Sequence, residues 1–199
     1  MILGLTGAIG SGKSAVLAVF SQLGWKTVDS DRLCHQLYDE APEELIAQLR
    51  ENFGADCVSS DGKVVRSVIA QVVFSDPEKL EKLNSIIIPH FEKRFQDFID
   101  DCRKNRCNAV CEVPLLFEKG YEDKFDAVVG IWTPDDIRYE RLAKFRNLSV
   151  ENARQREKYQ LSAEKKIERA DFCVVNDGGM DELKKEIGLL VEQLQNKAE

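Results

Sequence analysis

A glycine-rich segment near the amino terminus constrains this chain more than any other feature. Residues Gly7 to Ser14 match the pattern G-x-x-x-x-G-K-[ST] at every fixed position. That pattern needs a strand before it and a helix after it. Ile2 to Thr6 is a short apolar run, and Ala15 to Leu23 carries apolar residues at helical spacing. The sequence therefore predicts a strand, an anion-binding loop and a helix, in that order.

The residue types of the loop indicate how it binds a nucleotide. Glycines permit tight turns that aim backbone N–H groups at one anion, and the following helix adds the positive end of its dipole. We expect Lys13 to reach the β- and γ-phosphates and the Ser14 hydroxyl to ligate Mg²⁺. The predicted nucleotide-binding residues here are Gly7, Gly10, Ser11, Gly12, Lys13, Ser14 and Ala15.

Length and charge exclude several classes of protein. With 199 residues, 43% hydrophobic and 32% charged, the chain suits one soluble globular domain. A net charge of −7 argues against nucleic acid and anionic membranes as partners. No membrane span and no signal peptide is visible, so we expect a cytoplasmic location. No obligate protein partner is evident, and the scattered cysteines favour reduced thiols over disulfides or a metal site.

Five short apolar runs alternate with helical segments. They lie near residues 2–6, 26–29, 109–113, 127–132 and 172–175. This alternation predicts an α/β fold: an open parallel five-stranded sheet with helices on both faces. A last helix follows Gly178-Gly179, with one apolar side made of Leu183, Ile187, Leu190, Val191 and Leu194. Ligands of such sheets bind beyond the carboxyl ends of the strands.

We expect a single domain in which two insertions interrupt the core. The core covers about residues 1–31, 107–136 and 170–199. A long helical insertion at about 32–106 separates the second and third strands, with helical periodicity up to Ile88 and Pro89. A charged insertion at about 137–169 is the expected lid.

The second insertion is strongly basic. From Ile137 to Ala170, ten basic residues stand against five glutamates. Singly, each is typical of a solvated helix face, but as a group between two strands they favour a phosphate-facing lid. The basic residues are Arg138, Arg141, Lys144, Arg146, Arg154, Arg156, Lys158, Lys165, Lys166 and Arg169.

The basic insertion favours a small-molecule kinase, because cations stabilise the charge of a transferring phosphoryl group. The chain has no N-K-x-D guanine-reading sequence and no transporter signature. Two alternatives stay open at this point: a kinase for a nucleoside monophosphate or another small alcohol, and a regulator that binds nucleotide and hydrolyses it slowly.

Carboxylates follow two of the predicted strands. If the chain is still extended at Asp29 and Asp31, both side chains lie on one side; one can accept the proton of an acceptor hydroxyl while the other organises Mg²⁺ through water. Helix capping is the competing interpretation of Asp31. Glu112, at the end of the third strand, is either a second group that holds water around Mg²⁺ or a surface residue.

Five segments in order and spacing carry a family resemblance that covers nearly the whole chain. They are Gly4 to Ser14, Val28 to Asp31, Val73 to Pro77, Glu112 to Glu118 and Ala170 to Gly178. Together they resemble the dephospho-CoA kinase family. The resemblance implies a P-loop kinase that uses ATP, with Mg²⁺ as cofactor, to phosphorylate the ribose 3′-hydroxyl of dephospho-CoA, the last step of coenzyme A synthesis.

The resemblance also implies roles for particular residues. Asp31 matches the family's general base, and Lys13 and Ser14 match its phosphate and Mg²⁺ groups. Arg141 matches a lid arginine near the ATP phosphates, and the turn beside adenine corresponds to Asn176, Asp177 and Gly178.

For the acceptor, the resemblance implies that the helical insertion at about 32–106 is the acceptor-binding region, and it points to an arginine and a loop. Arg66 matches an acceptor-domain arginine that can engage the pyrophosphate of dephospho-CoA. The loop bordering the acceptor site corresponds to Pro114, Leu115, Leu116, Phe117 and Glu118.

The chain departs from the family pattern at three places. The family usually has His-Pro where this chain has Ile88-Pro89, and we expect His90 to be an ordinary residue at a helix start. Phe145 stands where an arginine is usual, with Arg146 one position later. The stretch after Tyr38 is short and lacks the usual glycine.

Overall fold

The structure is a computed structural model that describes residues 1–74 and 76–198. Ser75, which belongs to the family segment from Val73 to Pro77, and Glu199, at the end of the predicted core, lie outside the described residues.

Five strands form one parallel sheet in the order β2-β3-β1-β4-β5. The predicted fold class is confirmed, and each predicted strand agrees with the structure to within one residue. The strands are β1 (Ile2–Gly7), β2 (Lys26–Asp29), β3 (Ala109–Glu112), β4 (Ala127–Trp132) and β5 (Phe172–Val175). β1 is the central strand and is buried along its whole length, so the sheet fixes the position of the backbone where the following loop begins.

The helices follow the predicted alternation with the strands. Short 3₁₀ turns cover Ala55–Cys57 and Glu122–Lys124. The helices are α1 (Lys13–Gln22), α2 (Ser30–Asp39), α3 (Glu43–Phe53), α4 (Arg66–Val73), α5 (Pro77–Lys104), α6 (Asp135–Arg146), α7 (Val150–Glu157), α8 (Ala163–Arg169) and α9 (Met180–Ala198).

The chain divides into two compact units: residues 1–29 with 102–199, called here the α/β unit, and residues 30–101, called the helical unit. The core of the α/β unit packs β1, β3, β4 and β5 against α1 and α9. The predicted apolar side of the last helix is confirmed, since Leu183, Ile187, Leu190 and Leu194 are buried and Val191 packs against the same cluster.

The helical unit has its own core, in which residues of α3 such as Leu45 and Leu49 pack with Ile69 and Leu83. One prediction about this unit is wrong. The helix does not stop at Pro89 but runs through it to Lys104, so His90 lies inside α5 and not at a helix start. Proline removes one helical hydrogen bond at a cost of about 3 kcal/mol, and burial of apolar residues on both sides, at Ile86 and Phe95, offsets that cost.

Two further findings concern the chain as a whole. Among the described residues, no helix is both long and apolar enough to cross a membrane. All six cysteines fall in the described part of the chain, and none forms a disulfide there.

Candidate active site

The loop between β1 and α1 depends on glycine at two positions. Gly10 has φ +81° and Gly12 has φ +85°, backbone conformations that other residues adopt only with strain. A Cβ on Gly12 would lie 2.2 Å from the Asn176 side-chain nitrogen, and one on Gly10 would lie 2.8 Å from the Arg138 carbonyl oxygen. The loop is therefore packed against neighbouring segments so closely that no side chain fits there.

Lys13 begins α1 and folds back over the loop. Its ammonium group donates to the carbonyl oxygens of Gly7 at 3.0 Å and Ala8 at 3.1 Å, and the side chain is buried. Ser14, the next residue, is exposed in the first turn of the helix. The predicted phosphate and Mg²⁺ groups thus lie side by side at the amino end of α1, where the helix dipole favours an anion.

Two residues that follow other strands hold the loop in place through hydrogen bonds to one of its backbone carbonyls. The Ser11 carbonyl oxygen accepts from Thr133 Oγ1 at 3.2 Å and from Asn176 Nδ2 at 2.8 Å. Thr133 follows β4 and Asn176 follows β5, so the carboxyl ends of these strands fix the position of the loop. The buried Ser11 hydroxyl has no hydrogen-bond partner within the described chain, which leaves one donor for an anion.

Arg141 connects α6 to the turn after β5. Its guanidinium donates to the Asn176 carbonyl oxygen at 2.8 Å and to the Gly178 carbonyl oxygen at 2.9 Å. The same guanidinium lies within 3.9 Å of the position that a Cβ on Gly12 would occupy. The structure therefore brings Arg141, the loop and the predicted adenine turn together, with Asp177 exposed between its two neighbours.

Carboxylates end β3, which pairs with β1, and β2, which pairs with β3, at the edge of the sheet where the loop begins. Asp29 of β2 and Glu112 of β3 are register partners in the sheet. Glu112 is buried, so its interpretation as a surface residue is wrong. Among the described residues there is no cluster of three or more His, Cys, Asp or Glu that suits a metal ion.

Asp31 lies in the helical unit, and its predicted extended conformation is wrong. The strand ends at Asp29 and α2 begins at Ser30, so Asp31 stands in the first turn of a helix. There its carboxylate interacts favourably with the helix dipole.

One face of α2 carries Asp31, Cys34 and Tyr38, and Arg66 at the start of α4 meets this face. The Arg66 guanidinium lies 5.7 Å from the centre of the Tyr38 ring. Burial raises the pKa of the Cys34 thiol; the negative charge of Asp31 raises it further, and the positive charge of Arg66 opposes the shift. Burial chiefly raises the pKa of Tyr38 to about 12. The helical unit thus brings the predicted general base and the predicted acceptor arginine to one surface.

The predicted acceptor loop follows β3 and is anchored by a buried lysine. Leu116 and Phe117 are buried, while Pro114, Leu115 and Glu118 are partly exposed. The Lys166 ammonium donates to the Pro114 carbonyl oxygen at 2.5 Å and pairs with Glu118 at 3.1 Å. Burial lowers the pKa of Lys166, and the Glu118 carboxylate opposes that shift.

The ten basic residues of the predicted lid do not act as one group. Seven are exposed, and Arg141 binds the turn after β5. Arg138 and Lys166 are buried and bind backbone carbonyls within the α/β unit. Phe145, where an arginine is usual, is 73% exposed near the end of α6. Arg146, the last residue of that helix, is exposed as well.

Sequence reasoning did not single out Thr133, Arg138 or Lys166 as site residues. The position of Thr133 directly after a strand was an available signal, because functional side chains collect at that edge of a parallel sheet. No comparable signal marks Arg138 or Lys166, because a buried cation and a solvated one have the same sequence pattern on a charged helix.

The order of the sheet and the loop after β1 define the class: the chain is a P-loop protein of the kinase type. The family model for dephospho-CoA kinase matches residues 1–182. A dephospho-CoA kinase of Chlorobaculum tepidum is 36% identical over 199 residues, 98% of this chain and 95% of that protein. One from Staphylococcus aureus is 35% identical over 192 residues, 96% of this chain and 92% of that protein. The chain belongs to the dephospho-CoA kinase family, which confirms the predicted resemblance.

Solved structures agree on the fold. TT1252 from Thermus thermophilus has a TM-score of 0.75 at 29% identity, over 98% of this chain and 97% of that chain. The dephospho-CoA kinase from Campylobacter jejuni has a TM-score of 0.76 at 24% identity, over 100% of this chain and 98% of that chain. The likeness covers both units of the chain, so the fold as a whole is that of a P-loop kinase.

Proposed function

We propose that this chain transfers the γ-phosphate of ATP to the ribose 3′-hydroxyl of dephospho-CoA, with Mg²⁺ as cofactor, to give coenzyme A. The observation that carries the proposal is a complete, rigidly held phosphate loop in a chain of the dephospho-CoA kinase family. Disulfide-free cysteines support a cytoplasmic location for this reaction.

On the ATP side, the loop residues Gly7 to Ser14, with Ala15, surround the β- and γ-phosphates. The ammonium of Lys13 leaves its carbonyl partners for the more strongly charged phosphate oxygens and stays on the γ-phosphate as negative charge moves during transfer. Arg141 adds a second cation beside Gly12, which supports its role at the transferring group.

The turn of Asn176, Asp177 and Gly178 is proposed to lie against adenine. Its support is the pair of hydrogen bonds from Arg141, which fix the backbone of the turn. The Arg141 guanidinium thus lies between the turn proposed for adenine and the loop proposed for the phosphates.

Ser14, Asp29 and Glu112 offer the hydroxyl and carboxylate oxygens that Mg²⁺ prefers, and the register of β2 and β3 sets the two carboxylates side by side. The donor set therefore fits Mg²⁺ held by Ser14 directly and by the carboxylates through water. When bound, the ion neutralises charge on the β- and γ-phosphates.

On the acceptor side, Asp31 is proposed to orient the 3′-hydroxyl and accept its proton. Arg66 is proposed to bind the pyrophosphate of dephospho-CoA, with its guanidinium held over the Tyr38 ring. The segment Pro114, Leu115, Leu116, Phe117 and Glu118 borders the acceptor, and its anchoring by Lys166 supports a fixed wall there.

The proposed division of labour follows the predicted regions. Apart from Asp31 and residues 114–118, the core of about 1–31, 107–136 and 170–199 holds ATP, and the helical insertion at about 32–106 holds the acceptor. The region at about 137–169 acts as a lid that excludes water during transfer.

The test is an assay of purified protein with ATP and Mg²⁺, given dephospho-CoA or a nucleoside monophosphate as acceptor in parallel. We expect dephospho-CoA to be the preferred acceptor, and phosphorus NMR of the product to place the new phosphate on the ribose 3′-oxygen. Preference for the nucleoside monophosphate would contradict the acceptor assignment. ATP consumption that dephospho-CoA leaves unchanged would indicate a slow nucleotide-hydrolysing regulator instead.

A further inference from the structure

Arg138 is a buried arginine that joins the phosphate loop to α7. It lies on α6 and is only 3% exposed. One terminal nitrogen donates to the Ile9 carbonyl oxygen at 2.7 Å and to Glu157 at 2.5 Å, and the other donates to Asp135 at 2.5 Å. Burying a guanidinium costs desolvation free energy unless its N–H groups are hydrogen-bonded. The two carboxylates and the loop carbonyl supply those hydrogen bonds and thereby hold the guanidinium in one place.

The bond to Ile9 matters because of the geometry of the peptide group. The peptide between Ile9 and Gly10 is trans, so its C=O and N–H point in opposite directions. Arg138 holds the carbonyl from the side of α6. The Gly10 N–H is therefore directed away from the Arg138 guanidinium, and fixing this peptide fixes the direction of one N–H group of the anion-binding loop.

Glu157, the last residue of α7, connects this arrangement to the region predicted as a lid. One of its oxygens accepts from Arg138 and the other accepts from the Tyr139 hydroxyl at 2.9 Å. Burial tends to lower the pKa of Arg138, but the hydrogen bonds that it donates to Glu157 and Asp135, together with their negative charges, outweigh this effect and raise the pKa. The guanidinium therefore stays charged and its bonds to α7 stay in place.

We propose that Arg138 is a positioning residue for ATP: it fixes the Ile9–Gly10 peptide of the phosphate loop and ties the end of α7 to it through Glu157. The proposal rests on the proposed function only in taking ATP as the ligand of the loop. It assigns Arg138 no contact with substrate. Loss of Arg138 should therefore disorder the phosphate loop and weaken ATP binding, while the acceptor site stays unchanged.

The test replaces Arg138 by methionine or by lysine and measures both Michaelis constants. We expect Arg138→Met to raise the KM for ATP about tenfold, because one charge-assisted hydrogen bond to the loop is lost. The KM for dephospho-CoA should stay within about twofold of the wild-type value. Arg138→Lys should give a smaller rise, because an ammonium can still donate to Ile9. The matched control is Arg103→Met, which also removes an arginine bond to a backbone carbonyl, that of Lys124 at 3.0 Å.

A purely structural role would give a different result: fewer active molecules, a lower kcat and unchanged KM values for both substrates. That outcome in folded Arg138→Met and Arg138→Lys protein would overturn the proposal. Should circular dichroism show Arg138→Met unfolded, Arg138→Lys and Glu157→Gln decide, and wild-type ATP affinity in both would equally overturn it.

Calorimetric titration of ATP without acceptor separates this proposal from the proposed function. If wild-type protein binds ATP but does not phosphorylate dephospho-CoA, the proposed function fails, while the roughly tenfold weaker binding expected of Arg138→Met can still be measured. If ATP binds equally to Arg138→Met and wild type, the positioning role fails and the proposed function stands.

Discussion

The two units of the molecule prepare their candidate residues in different ways. In the α/β unit, Lys13, Asn176 and Arg141 bind backbone carbonyls, and the loop they surround admits no added side chain at Gly12. In the helical unit, Asp31 and Arg66 are exposed side chains on the surfaces of helices. One region is fixed before substrate arrives, and the other offers charges at a surface.

This difference suggests how a transferase divides its work. Phosphate chemistry gains most from donors that are already oriented, because they need no reorganisation in the transition state. Recognition of a large acceptor needs complementary charge, which exposed helical residues supply. Substitutions around the phosphate loop should therefore affect ATP binding and turnover, and those at Asp31 and Arg66 should affect the acceptor and its phosphorylation while leaving ATP affinity unchanged.

The largest effect is expected from Lys13→Ala. Loss of its ammonium removes a cation from the transferring phosphate, so turnover should fall about 10³-fold and ATP binding should weaken. Steady-state kinetics and ATP titration measure both effects. Lys185→Ala, an exposed lysine on α9, is the control. Normal turnover in Lys13→Ala would remove the loop from the chemistry.

Asp31→Asn tests the helical side of the comparison. The amide cannot take the proton of the hydroxyl, so kcat should fall by about 10² or more while ATP affinity stays within about twofold. Asp39→Asn, at the other end of α2, should behave like wild type. If Asp31→Asn turns over normally, another group is the base.

Lys166→Met tests whether the α/β unit depends on its buried polar contacts. The change leaves the Pro114 carbonyl and the Glu118 carboxylate without their buried cation, so the free energy of unfolding should fall by about 3 kcal/mol. Urea denaturation measures it, with the exposed neighbour Lys165→Met as control. Equal stability of the two variants would show that the predicted acceptor loop is held by other contacts.

Arg66→Met should have the smallest effect and the most selective one. Loss of one arginine–phosphate contact should raise the KM for dephospho-CoA about tenfold, with the KM for ATP and the unfolding free energy unchanged, because Arg66 is exposed. Arg50→Met on α3 is the control. A change in the KM for ATP alone would contradict the assignment of acceptor binding to Arg66 in the helical unit.

The sheet and the phosphate loop were predictable because local signals determine them. Apolar runs located every strand, and the fixed spacing of Gly7, Gly12 and Lys13 specified the loop. These signals need no knowledge of distant contacts.

The errors arose where tertiary packing overrides a local rule. Proline usually ends a helix, but buried residues on either side of Pro89 carry α5 through it. The charge pattern of residues 137–169 did not distinguish the buried Arg138 and Lys166 from their exposed neighbours, because partners from distant segments, Ile9 and Pro114, decide their burial. For Asp31 the sequence left two interpretations open, an extended strand end and a helix cap, and the structure places this residue in the first turn of α2.

Hydrogen exchange tests the division between the units most directly. The protein is saturated with a non-hydrolysable ATP analogue, so that the adenine nucleotide of dephospho-CoA cannot occupy the phosphate loop, and dephospho-CoA is then added. We predict that the analogue slows exchange at residues 7–14 and 176–178, and that dephospho-CoA adds protection within residues 30–101, above all in α2 and at the start of α4. Protection by dephospho-CoA that spares residues 30–101 entirely would contradict the account.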